Sequence, residues 1–288
     1  MQMPSPTSIS AASTEVAVPK APPLQRARGR ADVAFVFRRG ASRLDRLFQQ
    51  GCAKALRPRR GAGPPEVVLI NTSGGIAGGD RLDWRLEAGP GAALVASTQA
   101  AERVYRSTGA VARVETRLAL GSGATLDWLP QETILYDGAR LDRRLEVEMA
   151  EDASLTLLET VVLGRAAMGE TVAAAHFTDQ WRLRRGGRLI HAEALRLDGA
   201  LTRAQGPAAL AGARACATLI HAAPGAETRL DAARGLVADP GPVTAAATAR
   251  EGVLILRFLA PDNAPLRKLL VRFLTSFRAG PVPRVWSL

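Results

Sequence analysis

WRLEAGPGAAL (84–94), TRLALGSGATL (116–126) and LEVEMAEDASL (145–155) follow one pattern. In each, apolar and polar residues alternate, a turn containing Gly or Asp follows, and a small residue leads into a leucine. Gly186-Gly187-Arg188-Leu189 offers a fourth, looser copy. The matched leucines Leu94, Leu126, Leu155 and Leu189 are 32, 29 and 34 residues apart. Period-2 alternation closed by such a turn signals strands joined by tight connections. Recurrence near 30 residues predicts stacked β units that share one core. An ordinary β-sandwich with coincident turns accounts for the same pattern equally well. Both readings are mostly β.

Outward from the repeat, Asp32–Phe37 alternates and predicts a strand. Leu44, Leu47 and Phe48 are spaced for a short helix with a charged opposite face. Val67–Asn71 predicts a short strand running into glycines. Leu266, Leu269, Leu270, Phe273, Leu274 and Phe277 form an amphipathic helical stripe, expected over 264–279. Asp262 or Asn263 can cap it, Pro265 fits its first turn, and Gly280 and Pro281 end it. Its polar side carries Arg267, Lys268, Arg272 and Arg278, which suits packing on its own domain or a basic contact face. Residues 1–30 are rich in Pro, Ser and Ala without apolar periodicity. They are expected to form a disordered tail, not a signal peptide, before a single domain at 31–288.

Hydrophobic residues make up 47% of the chain and aromatics only 5%, so the core must be aliphatic. No run reaches the roughly 18 apolar residues that span a bilayer. Cys52 and Cys216 fit no metal or redox spacing, which suits a reducing cytoplasm. The net charge of +11 comes from 35 arginines and only three lysines. The arginines are scattered and no stacking aromatics interleave with them, which argues against nucleic-acid binding.

Gly74-Gly75-Ile76-Ala77-Gly78-Gly79-Asp80 follows a strand, as a phosphate loop would. A phosphate loop needs Lys and a hydroxyl residue after its last glycine. Asp80 and Arg81 stand there instead, and a carboxylate repels phosphate. Asp80 therefore caps turn amides or sets a carboxylate at an inner surface. The glycines Gly74, Gly75, Gly78 and Gly79 are structural, giving positive φ or close backbone approach. His176, His191 and His221 are too far apart in sequence for a local metal motif. No nucleophile–base pair is evident. Glu102, Glu132, Asp137, Glu159 and Glu170 sit among apolar or small residues, where a carboxylate needs a partner or water. Arg103, Arg140 and Arg165 are candidate partners. The other reading is a wet interior passage in which spaced carboxylates hold a divalent cation weakly, as in channels.

NTSGGIAGGDRL (71–82), QAAERVYRS (99–107), LPQETILYDGARL (129–141), LGRAAMGE (163–170) and LRKLLVRFLTSFRAGPVPRVW (266–286) together resemble the urease accessory protein D family. The likeness covers most of residues 40–288. Tyr136 stands where the family usually has Phe, and Ser73 where it has Ala or Pro. The resemblance implies a layered, solenoid-like β fold with about two helices. It implies a non-enzymatic cytoplasmic chaperone that binds urease accessory protein F and, through it, the GTPase urease accessory protein G. That assembly docks on apo-urease. Nickel is implied as transient cargo through an internal tunnel, with no tightly bound cofactor and no catalytic residue. By resemblance Asp80 lies in the motif tied to that tunnel. Glu102 and Glu159 join it as transient nickel-path residues, from their places in matched blocks and their apolar surroundings.

Two other classes stay open. A β-solenoid enzyme acting on polysaccharide would use Asp80, Asp137 or Glu159 as acid and base, roughly 5–10 Å apart in a groove. Such grooves carry aromatic platforms, and this chain has four Trp and two Tyr. The third class is a basic nucleic-acid-binding β protein.

Overall fold

A computed structural model describes residues 25–58 and 63–287, apart from the side chains of 202 and 203. The chain enters on β1 (Arg28–Arg38), doubles back through β2 (Ala41–Gly51), and crosses by β3 (Ala53–Leu56) and β4 (Glu66–Asn71). It then winds as a coil. β5 (Arg81–Ala88) lies in one sheet and β6 (Ala93–Thr98) in the other, followed by a corner holding β7 (Glu102–Val104). β8 (Ala112–Leu120), β9 (Thr125–Trp128) and β10 (Thr133–Leu135) make the next turn, then β11 (Arg140–Met149) and β12 (Ser154–Leu163). β13 (Ala174–Arg185) and β14 (Arg188–Ala200) close the first sheet. β15 (Ala215–Ala222), a short helix α1 (Leu230–Leu236), β16 (Thr244–Arg250), β17 (Val253–Ala260) and α2 (Asn263–Phe277) complete the second layer.

The first sheet runs β14-β13-β11-β8-β5-β1-β2, and its five central strands are parallel. In the facing sheet β4, β6, β9 and β12 are parallel, with antiparallel strands at both ends. This is the stacked architecture predicted from the repeat, and the register matches it residue by residue. Trp84, Thr116 and Leu145 are paired neighbours, as are Leu86, Leu118 and Val147. Leu94, Leu126 and Leu155 line up in the other sheet. The fourth copy does not continue the stack. Gly186 and Gly187, both at positive φ, turn β13 back into an antiparallel hairpin with β14, and Leu189 is exposed.

The core between the sheets is aliphatic, with Trp84, Trp128 and Trp181 among its few aromatics. A second cluster fills the other face of β12, β15 and β17 against α2. β12 is therefore covered on both faces, which is why 155–163 reads as a nearly unbroken apolar run. Asp262 caps α2 by accepting from the Asn263 amide, and all six stripe residues are buried. The polar side of α2 is partly tied down. Arg278 donates to Asp127 at 2.6 and 2.8 Å, and Arg267 reaches Gln131, Glu132 and the Trp286 carbonyl. These two arginines staple the helix to its own domain.

The helix expected around 44–48 is instead β2. Arg39 and Gly40, both at positive φ, make the tight hairpin turn that sends the chain back along β1. A bulge shifts the register so that Leu44 pairs with Phe35 and Leu47 with Val33. One extra residue puts positions three apart on the same face of a strand, which mimics helical spacing. Most of the expected tail, residues 1–24, lies outside the described residues. β1 begins at Arg28, three residues ahead of the boundary set at 31.

Candidate functional site

The four corners that return the chain from the second sheet to the first stack on one side of the coil. β7, β10 and the end of β12 pair there in a short parallel ladder, and Ile76 bridges to Val104. The glycine motif, ERVYRS, LYDGARL and LGRAAMGE are thus successive layers of one wall. Gly75 sits at φ +144 with the Tyr105 ring behind it, and the Tyr105 hydroxyl donates to the Gly74 carbonyl at 2.8 Å. Tyr105 meets Tyr136 edge-on at 5.3 Å, and the Arg165 guanidinium lies 4.3 Å over Tyr136. Asp137 pairs with Arg106 and accepts the Ala173 and Ala174 amides. Glu170 accepts from the Asp137 and Arg165 amides and the Arg165 side chain, which holds its carboxyl below the ordinary range. A Cβ at Gly78 would stand 2.0 Å from the Ser107 hydroxyl and 2.5 Å from the Ala110 carbonyl. Gly78→Ala is therefore expected to lower stability by about 1–3 kcal/mol, read as a lower denaturation midpoint.

Asp80 is buried, with each oxygen bonded to a backbone amide, Ala27 and Ala77, both at 2.8 Å. Its carboxylate ties the glycine loop to the entry of β1. Glu102 is half-buried, and its oxygens take the Asn71 side-chain amide at 3.2 and 3.4 Å. Together with Gly74, Gly75 and Gln99 it borders a small cavity of about 80 Å³. Burial, reinforced by the charge of Asp80 and opposed by Asn71 and Arg103, pushes the Glu102 carboxyl up to about 7. Folding thus favours its protonated form. The stability this gives is complete below the unfolded value near 4.5 and is lost as pH rises through 7. Glu102→Gln is expected to stabilise the fold by about 1–3 kcal/mol at pH 8 and to change little at pH 4.5. Thermal melts at the two pH values check this.

Glu159 belongs to a different cluster. It shares strand parity with Leu155, Leu157 and Val161 and so faces the core between the sheets. One oxygen accepts from the Trp128 indole at 2.8 Å and the other from Arg143 at 2.5 Å. Arg143 also makes a two-pronged pair with Asp179 at 2.9 and 2.5 Å and donates to Thr133. Trp181 donates to Asp179 at 2.9 Å. Burial pushes the Glu159 carboxyl up against the pull of Arg143. Burial alone would depress the guanidinium, but Asp179 and Glu159 reverse this and raise it. This cluster opens onto a cavity of about 520 Å³, also bordered by Glu193, Cys216, Arg257 and an apolar wall including Leu197 and Phe258. Arg257 holds Glu193 at 2.6 Å; against burial, His191 and Arg257 keep its carboxyl down at about 2. Burial pushes the Cys216 thiol up to about 11.

Sequence reading named Glu159 but missed Arg143 and Asp179. The signal was present: Arg143 shares parity with Leu145 and Val147, and Asp179 with Trp181 and Leu183, so both face the core. In register, Arg143 occupies the place held by Leu82 and Val114 in earlier coils. Of the proposed arginine partners, Arg165 pairs with Glu170, whereas Glu102 takes Asn71 and Glu159 takes Arg143. Among the described residues, no three His, Cys, Asp or Glu side chains gather as a metal cage.

The fold and the buried cluster define a two-layer parallel β-solenoid with an arginine–carboxylate cluster beside a cavity. The family model for UreD urease accessory protein matches residues 27–287. The chain is 51% identical over 275 residues to the urease accessory protein UreD of Methylobacterium sp. (strain 4-46), covering 93% of this chain and 98% of that protein. It is 48% identical to the UreD of Chelativorans sp. (strain BNC1), over 92% and 96% of the two chains. Against the UreD of Paracoccus denitrificans (strain Pd 1222) the identity is 49%, over 92% and 94%. The chain belongs to the UreD family of urease accessory proteins.

Proposed function

We propose that this chain serves urease maturation as a non-enzymatic scaffold. In this reading it binds urease accessory protein F and, through it, protein G. It then sits on apo-urease and lets nickel pass through its interior in the cytoplasm. The family match over almost the whole described chain carries the urease part. The observation that supports a passage is the cavity between the sheets, bordered by Glu159, Asp179 and Glu193. Glu102 and Glu159 share one property: burial makes each hold its proton more tightly than usual. A divalent cation can displace such a proton and be displaced in turn, which suits transit better than storage. Asp80 contributes by fixing the glycine loop next to Glu102 and adding its charge there.

The acids needed by a polysaccharide-cleaving enzyme are engaged in structure. Asp80 caps two amides, Asp137 holds Arg106 and two amides, and Glu159 holds Arg143. Many arginines are likewise paired to acids in place of forming one basic track for nucleic acid. Cys52 and Cys216 are free thiols. No helix among the described residues is long and apolar enough to cross a membrane.

The test measures complex assembly and urease nickel content side by side for Asp80→Asn, Glu102→Gln and Glu159→Gln, singly and together. Normal assembly with nickel-poor urease is the expected result. Replete urease from all of them would remove these residues from the route.

A further inference from the structure

Of the seven large apolar side chains exposed among the described residues, five lie on neighbouring strands: Phe37, Leu44 and Leu47 on the inner face of the hairpin, Phe48 on its outer face under Arg30, and Leu56 on the outer side of β3. All belong to the β1–β2 hairpin and to β3. Among the described residues β2 is an edge strand, paired only with β1, and almost every residue from Ala41 to Gly51 is exposed. Leu44 and Leu47 stand opposite the core residues Phe35 and Val33, and so point to the side that other strands bury. They remain 37% and 45% exposed because the facing sheet ends in β3, which has only four residues. The inter-sheet core thus extends one strand further on one side than on the other. An unpaired backbone edge beside an uncovered apolar face is what an added strand completes.

Charge narrows the occupant. Residues 38–57 carry six basic side chains, Arg38, Arg39, Arg43, Arg46, Lys54 and Arg57, against one acid, Asp45. Arg46 reaches back to Glu87 and Arg38 to Asp45, while Arg39 and Arg43 pair with no acid among the described residues. A second copy paired antiparallel along β2 would set arginines against arginines, and like charges directly opposite destabilise a strand pair. An acidic strand meets the same edge with opposite charge.

We propose that β2 is a docking edge that accepts an extended, acid-bearing segment of another protein. That segment adds a strand to the first sheet, covers Leu44 and Leu47 with alternate apolar side chains, and pairs its acids with Arg39 and Arg43. The proposal is independent of any nickel route, and its test does not use urease activity.

The probe is a short synthetic peptide alternating Glu and Val, compared with its Lys–Val counterpart, added to the full chain. Hydrogen exchange is read along residues 41–48. The acidic peptide is expected to slow exchange there, to weaken as salt rises, and to bind about tenfold or more better than the basic one. Leu47→Lys, placed on an already exposed site, is expected to abolish that protection while leaving the thermal midpoint unchanged. Equal protection by both peptides, protection confined to other strands, or none at all would overturn the proposal. So would concentration-dependent protection of β2 in the chain alone, because that would make a second copy the occupant.

Discussion

Arg143→Met is expected to lower the unfolding free energy by about 3–5 kcal/mol. Met fills much of the arginine's volume but removes the one cation that, among the described residues, bonds both Glu159 and Asp179. Both carboxylates are buried, at 7% and 3% exposure, and neither has another charged partner within bonding distance among the described residues. Their remaining donors are the indoles of Trp128 and Trp181. An uncompensated buried charge must take up a proton or admit water, and either weakens the packing between the sheets. Urea denaturation at neutral pH should show a lower midpoint with an unchanged slope, because the same surface is exposed on unfolding. The loss should shrink as pH falls, because burial already pushes the Glu159 carboxyl up toward its neutral form.

Neutralising the whole cluster should have the opposite effect. In Arg143→Met/Glu159→Gln/Asp179→Asn, each amide oxygen still accepts from its indole, and no charge is left buried. Replacing a buried ionic group by neutral groups of similar volume is often close to neutral for stability. The triple variant is therefore expected to recover about 2–4 kcal/mol relative to Arg143→Met alone. If the triple variant is no more stable than the single one, the arginine contributes by shape and not by charge. This pair of variants separates the cluster's part in folding from its proposed part in nickel transit.

The stack was legible because it is a parallel register written in sequence. Leu94, Leu126 and Leu155 recur where the coil brings them side by side. The C-terminal helix was legible because its stripe and its Asp262 cap agree. β2 was misread because its bulge moves Leu44 and Leu47 to the same face at a helical interval. The Leu189 copy failed because Gly186-Gly187 can close a hairpin as readily as a coil turn. For the site, Glu159 was found as an acid in an apolar run. Its partner lies 16 residues earlier, and Asp179 a further 36 beyond that arginine. Only the coil period brings these positions together, although Arg143 and Asp179 each share parity with core residues of their own strands. The wall of corners was visible as motifs, but not as one surface, because its bonds run between layers about 30 residues apart, as from Arg106 to Asp137.

Nickel bound per active site of urease, matured with the neutral Arg143→Met/Glu159→Gln/Asp179→Asn variant in a complex of normal composition, tests the account most directly. A passage that uses the charge of these carboxylates predicts intact assembly and urease depleted of nickel about tenfold or more, equivalent to at least 1.4 kcal/mol on the transfer. Urease carrying its full nickel complement under those conditions would contradict it, and would leave the cluster as part of the fold alone.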